Sequence, residues 1–327
     1  MHRRDFHASL CAAGAAALAG TARAQPRYPS RPIRLVVASP AGSPVDVIAR
    51  RLAPPLSKRT GVPVYVENKP GASGVVAVAD VLSQAGQDGH ALLLTTDSVL
   101  TAPLLVKDTP YDPLKDLAFL VKIADAGMLI VGTPTLPQRS LDVLIQAMRS
   151  NRQELDYGSW GPGTAPVRLM ASLGREAGVV FREVPYKGSP PAIQDVMAGQ
   201  IPLTLTGAVT AAPLVASGRL VALGLVSDRR SPLLPEIRTL NEMGYTAPIF
   251  SEKAWVGLVA SARIPPGVAS AIQEHVLAVL KADGTAGFLA EIGFDLQGRT
   301  AEAFTREVAQ QYERIRDTYA KLGIRPQ

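Results

Sequence analysis

The chain has 327 residues, with 34 Lys and Arg against 28 Asp and Glu and a formal net charge of +6. The positive surplus is scattered rather than gathered into basic runs, which argues against a nucleic-acid or membrane-surface partner. One cysteine and four histidines exclude a disulfide framework and leave little from which to build a Cys/His metal cluster.

The first residues read as an export signal. Arg3 and Arg4 precede Phe6, an apolar run follows over residues 10–19, and Ala22-Arg23-Ala24 supplies a small-residue cleavage site. The paired arginines favour the twin-arginine route. The apolar run is shorter than the ~20 residues that span a bilayer, so a membrane anchor ranks second. Cys11 lies inside that run, too early for a lipid-attachment box. Residues 1–24 are therefore expected to be removed near Ala24, and the mature protein to be periplasmic. Arg3, Arg4, Arg23 and Asp5 leave with them, which takes the charge to +4. Only His90 and His275 remain, and no cysteine. About 300 residues are left, enough for two cores of ordinary size.

In chain order, short apolar runs alternate with longer amphipathic ones. Strands are predicted over 33–38, 62–66, 91–95, 128–132, 155–159, 182–184, 202–206, 220–226 and 254–259. Helices are predicted over 44–58, 73–85, 140–150, 165–177, 190–198, 208–217, 265–281 and 301–320. This alternation gives an α/β protein with mostly parallel sheets and right-handed crossovers. It divides into two series, and the C-terminal helices are expected to return to the first. The expected domains are 25–124 with 246–327, and 125–245, with a ligand cleft at the double crossing.

The informative residues stand where strands end. Ser39-Pro40-Ala41-Gly42-Ser43-Pro44-Val45-Asp46 follows the first strand, with Ser43 as helix cap and Asp46 as the acid reaching back to it. Trp160-Gly161-Pro162-Gly163-Thr164-Ala165 follows the strand ending at Ser159, with Thr164 capping. Tyr186-Lys187-Gly188-Ser189 follows another, with Ser189 capping, and Thr206-Gly207 opens a fourth helix. Such turns offer unpaired backbone N–H groups and the positive end of a helix dipole to an anion. This edge is where open α/β sheets bind ligands. Any one turn is more often only a structural cap, and Asp46 reads as a capping acid. Lys187 reads equally as a ligand contact or as a solvated loop lysine. Asn68-Lys69-Pro70-Gly71-Ala72-Ser73-Gly74 lacks the spacing of a phosphate loop and reads as a turn. There is no Gly-x-Ser-x-Gly elbow, and two separated histidines give a catalytic triad few ways to form.

At these same turns the chain resembles the extracytoplasmic solute receptors of tripartite tricarboxylate transporters, the Bug family. The likeness runs through Tyr28-Pro29-Ser30-Arg31-Pro32-Ile33, Val64-Tyr65-Val66-Glu67-Asn68-Lys69-Pro70-Gly71, Asp88-Gly89-His90, Pro110-Tyr111-Asp112-Pro113, Tyr157-Gly158-Ser159, Val184-Pro185-Tyr186-Lys187-Gly188 and Arg230-Ser231-Pro232-Leu233-Leu234-Pro235. The resemblance implies a type II periplasmic-binding-protein fold without enzymatic activity, closing on a small carboxylate. Carried over residue by residue, it points to Ser39, Pro40, Ala41, Gly42, Ser43 and Asp46 in the first domain. In the second it points to Ser159, Gly161, Gly163, Thr164, Ala165, Tyr186, Lys187 and Gly188, with Thr206 at the neighbouring strand end. The chain departs from the family in its first loop, usually Pro-Gly-Gly, and in having Val167 and Arg168 where a histidine is common. Thr206-Gly207 replaces a common Asp-Asn, which implies a ligand without a cationic amino group.

The expectation is thus a monomeric receptor with no cofactor, handing a small organic acid to membrane permease subunits or to a sensor protein. A secreted α/β hydrolase-like enzyme and a receptor for a non-carboxylate ligand are the rival readings.

Overall fold

The computed structural model describes residues 28–83, 87–161 and 164–324; the leader predicted over 1–24 and Gly163 lie outside the described residues. Among the described residues, eleven strands form two sheets. The first comprises β1 (Ile33–Val37), β2 (Val64–Asn68), β3 (Ala91–Thr95), β4 (Leu117–Ala126), β10 (Ala254–Ser261) and β11 (Asp295–Arg299), in the order β11-β4-β10-β3-β1-β2. The second comprises β5 (Met128–Gly132), β6 (Leu155–Ser159), β7 (Phe181–Pro185), β8 (Leu203–Gly207) and β9 (Val221–Val226), in the order β7-β6-β8-β5-β9.

Each sheet is buried on both faces, which is why its central strands are nearly all apolar. Leu92 and Leu94 of β3 pack with Val45, Ile48 and Leu52 of helix Pro44–Thr60 and with Ile272 and Val276 of helix Pro266–Leu280. Leu93 points the other way, to Val78, Leu100, Phe304 and Val308. In the second sheet Leu203 and Leu205 meet Leu169, Met170 and Leu173 of helix Ala165–Ala177. Leu129 and Val131 meet Ile193, Val196 and Ala211 on the opposite face. The last helix, Ala301–Leu322, covers the first sheet through Phe304, Val308, Ile315 and Tyr319. Trp255 belongs to this core, its Nε1 donating to Gln311 Oε1 at 2.7 Å.

The sheets are mixed rather than mostly parallel. The βα series pairs in parallel, β1 with β2 and β3, and β6 with β7 and β8. The strands that link the two sheets run the other way: β10 is antiparallel to β3 and β4, and β5 to β8 and β9. β4 escapes the sequence reading because Lys122 and Asp125 interrupt its apolar run. Both side chains are buried, and they pair with each other at 2.9 Å. β11, a polar edge strand, gives no apolar signal at all. Two short helices, Ser98–Leu105 and Thr285–Glu291, also lie outside the predicted set.

Candidate functional site

Topology brings the informative turns to one place. β1, β2, β3 and β4 point the same way, so Val37, Asn68, Thr95 and Ala126 end on one edge of the first sheet. Ser159, Pro185 and Gly207 likewise share one edge of the second, and Met128, opposite Gly207, starts β5 there. Ala126 and Met128 are separated only by Gly127. One glycine therefore joins the two carboxyl-terminal edges and turns them toward each other. A β-carbon on Gly127 would stand 3.1 Å from Ser227 Cβ and 3.2 Å from Val226 O, so the end of β9 lies against this crossing.

On the first edge, Ser39–Ser43 forms a tight turn in which Ser43 N–H donates to Pro40 O at 3.2 Å and Gly42 adopts φ +79°. That left-handed φ is why a glycine stands at Gly42. Ser43 caps helix Pro44–Thr60 as expected, its Oγ accepting the Asp46 N–H. Asp46 does not reach back to the cap itself. Its buried carboxylate accepts from Gly42 N at 2.8 Å, Asn68 Nδ2 at 2.9 Å and Arg50 Nε at 3.0 Å. Burial alone would raise its pKa, but these donors outweigh it and hold the group below the ordinary carboxylate value. Asn68 also donates to Ser39 O at 3.1 Å. Asp46 and Asn68 thus brace the turn from behind, while Pro40, Ala41 and Gly42 are exposed at its tip.

On the second edge Ser159 is fully buried. Its hydroxyl donates to Glu183 Oε1 at 2.5 Å and accepts the Gly161 N–H at 3.2 Å. Gly161 has φ +117°. Thr164 occupies the cap position of helix Ala165–Ala177, but its hydroxyl donates to Gly161 O at 2.7 Å and makes no cap bond. The expected Ser189 cap is displaced by one residue. Gly188 holds the cap position, Ser189 is the first helical residue, and its Oγ is buried with no hydrogen-bond partner among the described residues. Gly207 caps helix Ala208–Ala216 without a side chain, beside the buried Thr206. Three adjacent helix starts on one edge therefore lack the side-chain oxygen that usually satisfies first-turn N–H groups.

Tyr186 does not offer its hydroxyl to the cleft: it donates to Asp195 Oδ2 at 2.7 Å within the same lobe. Burial first, and that carboxylate second, raise its pKa to about 12. Lys187 beside it is exposed and forms no ion pair among the described residues. Two residues that sequence reasoning gave no role, Asp97 and Arg168, meet across the lobes at 3.3 Å. The sequence signals were an arginine set among Val167, Leu169 and Met170 on a helix, and its place near the position where a histidine is common in the family. A groove of about 480 Å³ also opens between helix Ala165–Ala177 and helix Ala301–Leu322, lined by Arg168, Arg175, Glu252, Arg314 and Lys321. Among the described residues, none of the 39–46 or 159–164 turns lines it. Among the described residues no group of His, Cys, Asp or Glu is arranged to hold a metal ion, and no helix is long and apolar enough to cross a membrane.

Two α/β lobes whose strand ends face each other across a short crossing make a ligand-binding protein of the periplasmic type. The chain belongs to the tripartite tricarboxylate transporter receptor family, whose model matches residues 48–324. It is 30% identical over 304 residues to protein BugT of Bordetella pertussis, covering 90% of this chain and 91% of BugT. The periplasmic binding protein BugD superposes with a TM-score of 0.76 at 29% identity, covering 92% of this chain and all of BugD. The R. palustris protein Rpa4515, solved with adipate, superposes at 0.79 with 28% identity, again over 92% of this chain and 100% of that one. The resemblance read from the turns, and the receptor class it implied, are those of the family.

Proposed function

We propose that this receptor captures a small organic carboxylate between the Ser39–Ser43 turn and the helix starts at Thr164, Gly188 and Gly207, without catalysing its conversion. The observation that supports the reading is the set of three neighbouring second-lobe helices with no side-chain cap bond, on the strand-end edge that Gly127 joins to the edge carrying the braced glycine turn. Backbone N–H groups and helix dipoles aimed into one cleft favour an anion, and they do so without a dedicated arginine. Adipate, held by a relative of nearly the same fold, has the required chemistry.

In this reading the lobes are two domains. The first holds β1–β4, β10 and β11, the second β5–β9, and the crossings fall at Gly127 and over residues 227–253. The leader ahead of Ala24 takes the chain to the periplasm, where a monomer delivers its cargo to permease subunits. Titrating the mature protein with a panel of mono-, di- and tricarboxylates while following thermal unfolding tests this. A ligand at a hundredfold excess over Kd stabilises by about 2.7 kcal/mol. Absence of a shift with every acid, or turnover of any of them, would overturn it.

A further inference from the structure

We infer that Arg168 is a positioning residue for ligand capture: by joining the lobes beneath the proposed anion site, it sets the separation of the two facing turns. The inference rests on that placement of the site, but its geometry is independent of the ligand.

Arg168 lies one turn into helix Ala165–Ala177, whose start at Thr164 belongs to the second-lobe edge. Its side chain is 3% exposed. One terminal nitrogen donates to Asp97 Oδ2 at 3.3 Å and the other to Tyr319 Oη at 3.2 Å, with the guanidinium carbon 5.8 Å from the Tyr319 ring centre. Both partners belong to the first sheet and its covering layer. Asp97 follows β3, next to β1, whose end carries the Ser39–Ser43 turn. Tyr319 lies on helix Ala301–Leu322. The second-lobe helix that offers its start to the ligand is thus fastened to the strand end beside the opposing turn.

The join is largely withdrawn from solvent, with the Arg168 side chain 3% exposed and that of Asp97 18% exposed. A buried guanidinium parted from its carboxylate is costly, so lobe separation is coupled to the loss of this pair. The planar fork of arginine suits the task, since it addresses two acceptors in fixed directions at once. Thr164 and Arg168 are also linked through the helix backbone, where Arg168 N–H donates to Thr164 O at 3.3 Å. Displacement of the side chain would therefore be felt at the cap position.

The test uses the mature full-length protein, adipate as probe, and the variants Arg168→Gln, Asp97→Asn and their double. Solution scattering of the ligand-free protein reports lobe separation, and calorimetry reports affinity. Each single variant is expected to expand the ligand-free protein and to weaken adipate binding about tenfold, with the double no weaker than the worse single because both remove one interaction. Asp97→Asn keeps the shape of the side chain and decides the matter should Arg168→Gln fail to fold. Wild-type dimensions and affinity in Asp97→Asn would overturn the inference, as would fully additive losses in the double. If wild type binds no acid yet the single variants still expand, the proposed ligand falls and the role of Arg168 stands.

Discussion

The carboxylate of Asp46 accepts the N–H of Gly42 at 2.8 Å, so an acid inside a helix fixes the turn that precedes it. An anion directly behind an anion site would oppose binding unless its charge were already engaged. Arg50 at 3.0 Å and Asn68 at 2.9 Å engage it. Asp46→Ala is therefore expected to loosen the Ser39–Ser43 turn, costing about 1–2 kcal/mol of stability and weakening acid binding together. The folded pKa lies below the ordinary value, so this contribution is present above the unfolded pKa and fades as pH falls through the folded one. Wild type and variant should approach equal stability in strong acid. Urea melts at neutral and acidic pH measure the difference; a gap that widens on acidification would contradict it.

Gly161 can be substituted in two ways with different consequences. At φ +117° any side chain strains the backbone, although an added β-carbon would meet nothing nearer than Tyr186 O at 3.8 Å. Gly161→Ala should cost about 1–3 kcal/mol through strain alone. Gly161→Asp carries the same strain and adds a negative charge where the ligand carboxylate is proposed to lie. It should lose acid binding far beyond the alanine variant at similar stability. Equal affinities for the two variants would place the anion elsewhere.

What could be read beforehand divides along physical lines. The βα series was legible because strands covered on both faces are continuous in apolar residues, as in Ala91-Leu92-Leu93-Leu94. The turns were legible because glycine, serine and proline are demanded by the backbone itself, as Gly42 shows. β4 was hidden because its polar pair Lys122 and Asp125, which meet at 2.9 Å, is completed by partners distant in sequence, Glu307 and Gln297 among them. Helix capping was readable as a position but not as a bond. Thr164 stands where a cap belongs, yet its hydroxyl turns to Gly161 O, a choice made by the loop rather than by residue type. Arg168 and Asp97, 71 residues apart, could be joined only by the fold.

Tyr186 and Lys187 are neighbours with opposite expectations. The Tyr186 hydroxyl is already bonded to Asp195, so Tyr186→Phe should lose about 0.5–1.5 kcal/mol of stability and leave acid affinity alone. Lys187 is exposed and unpaired among the described residues, so Lys187→Ala should change stability by no more than about 0.5 kcal/mol. It should instead weaken acid binding, and the loss should shrink as salt is raised, because an exposed charge acts through a screened field. Calorimetry at low and high ionic strength separates these outcomes. An unchanged Kd for Lys187→Ala at low salt would leave this lysine a solvated loop residue.

At the second crossing, the Lys253 side chain, 9% exposed, lies 2.8 Å from Asp228 at the end of the second sheet. It also lies 3.7 Å from Asp125 and 3.6 Å from Asp295 in the first. One ammonium thus neutralises acids from both lobes where the chain passes between them. Lys253→Met fills similar space, Asp125 keeps Lys122 at 2.9 Å and the largely exposed Asp228 can be rehydrated, so the loss is expected to be about 1 kcal/mol, as for a solvent-exposed pair. The pH dependence has a definite sign. Burial would raise the pKa of Asp228, but its bond to Lys253 outweighs burial and lowers it, so the pair contributes fully above the ordinary carboxylate pKa and ceases to as pH falls through the lowered one. The stability gap between wild type and Lys253→Met should accordingly be widest near neutrality and narrow through the carboxylate range. Denaturant melts across that range measure it, and a gap independent of pH would mean that the lysine stem, rather than its charge, is what the crossing needs.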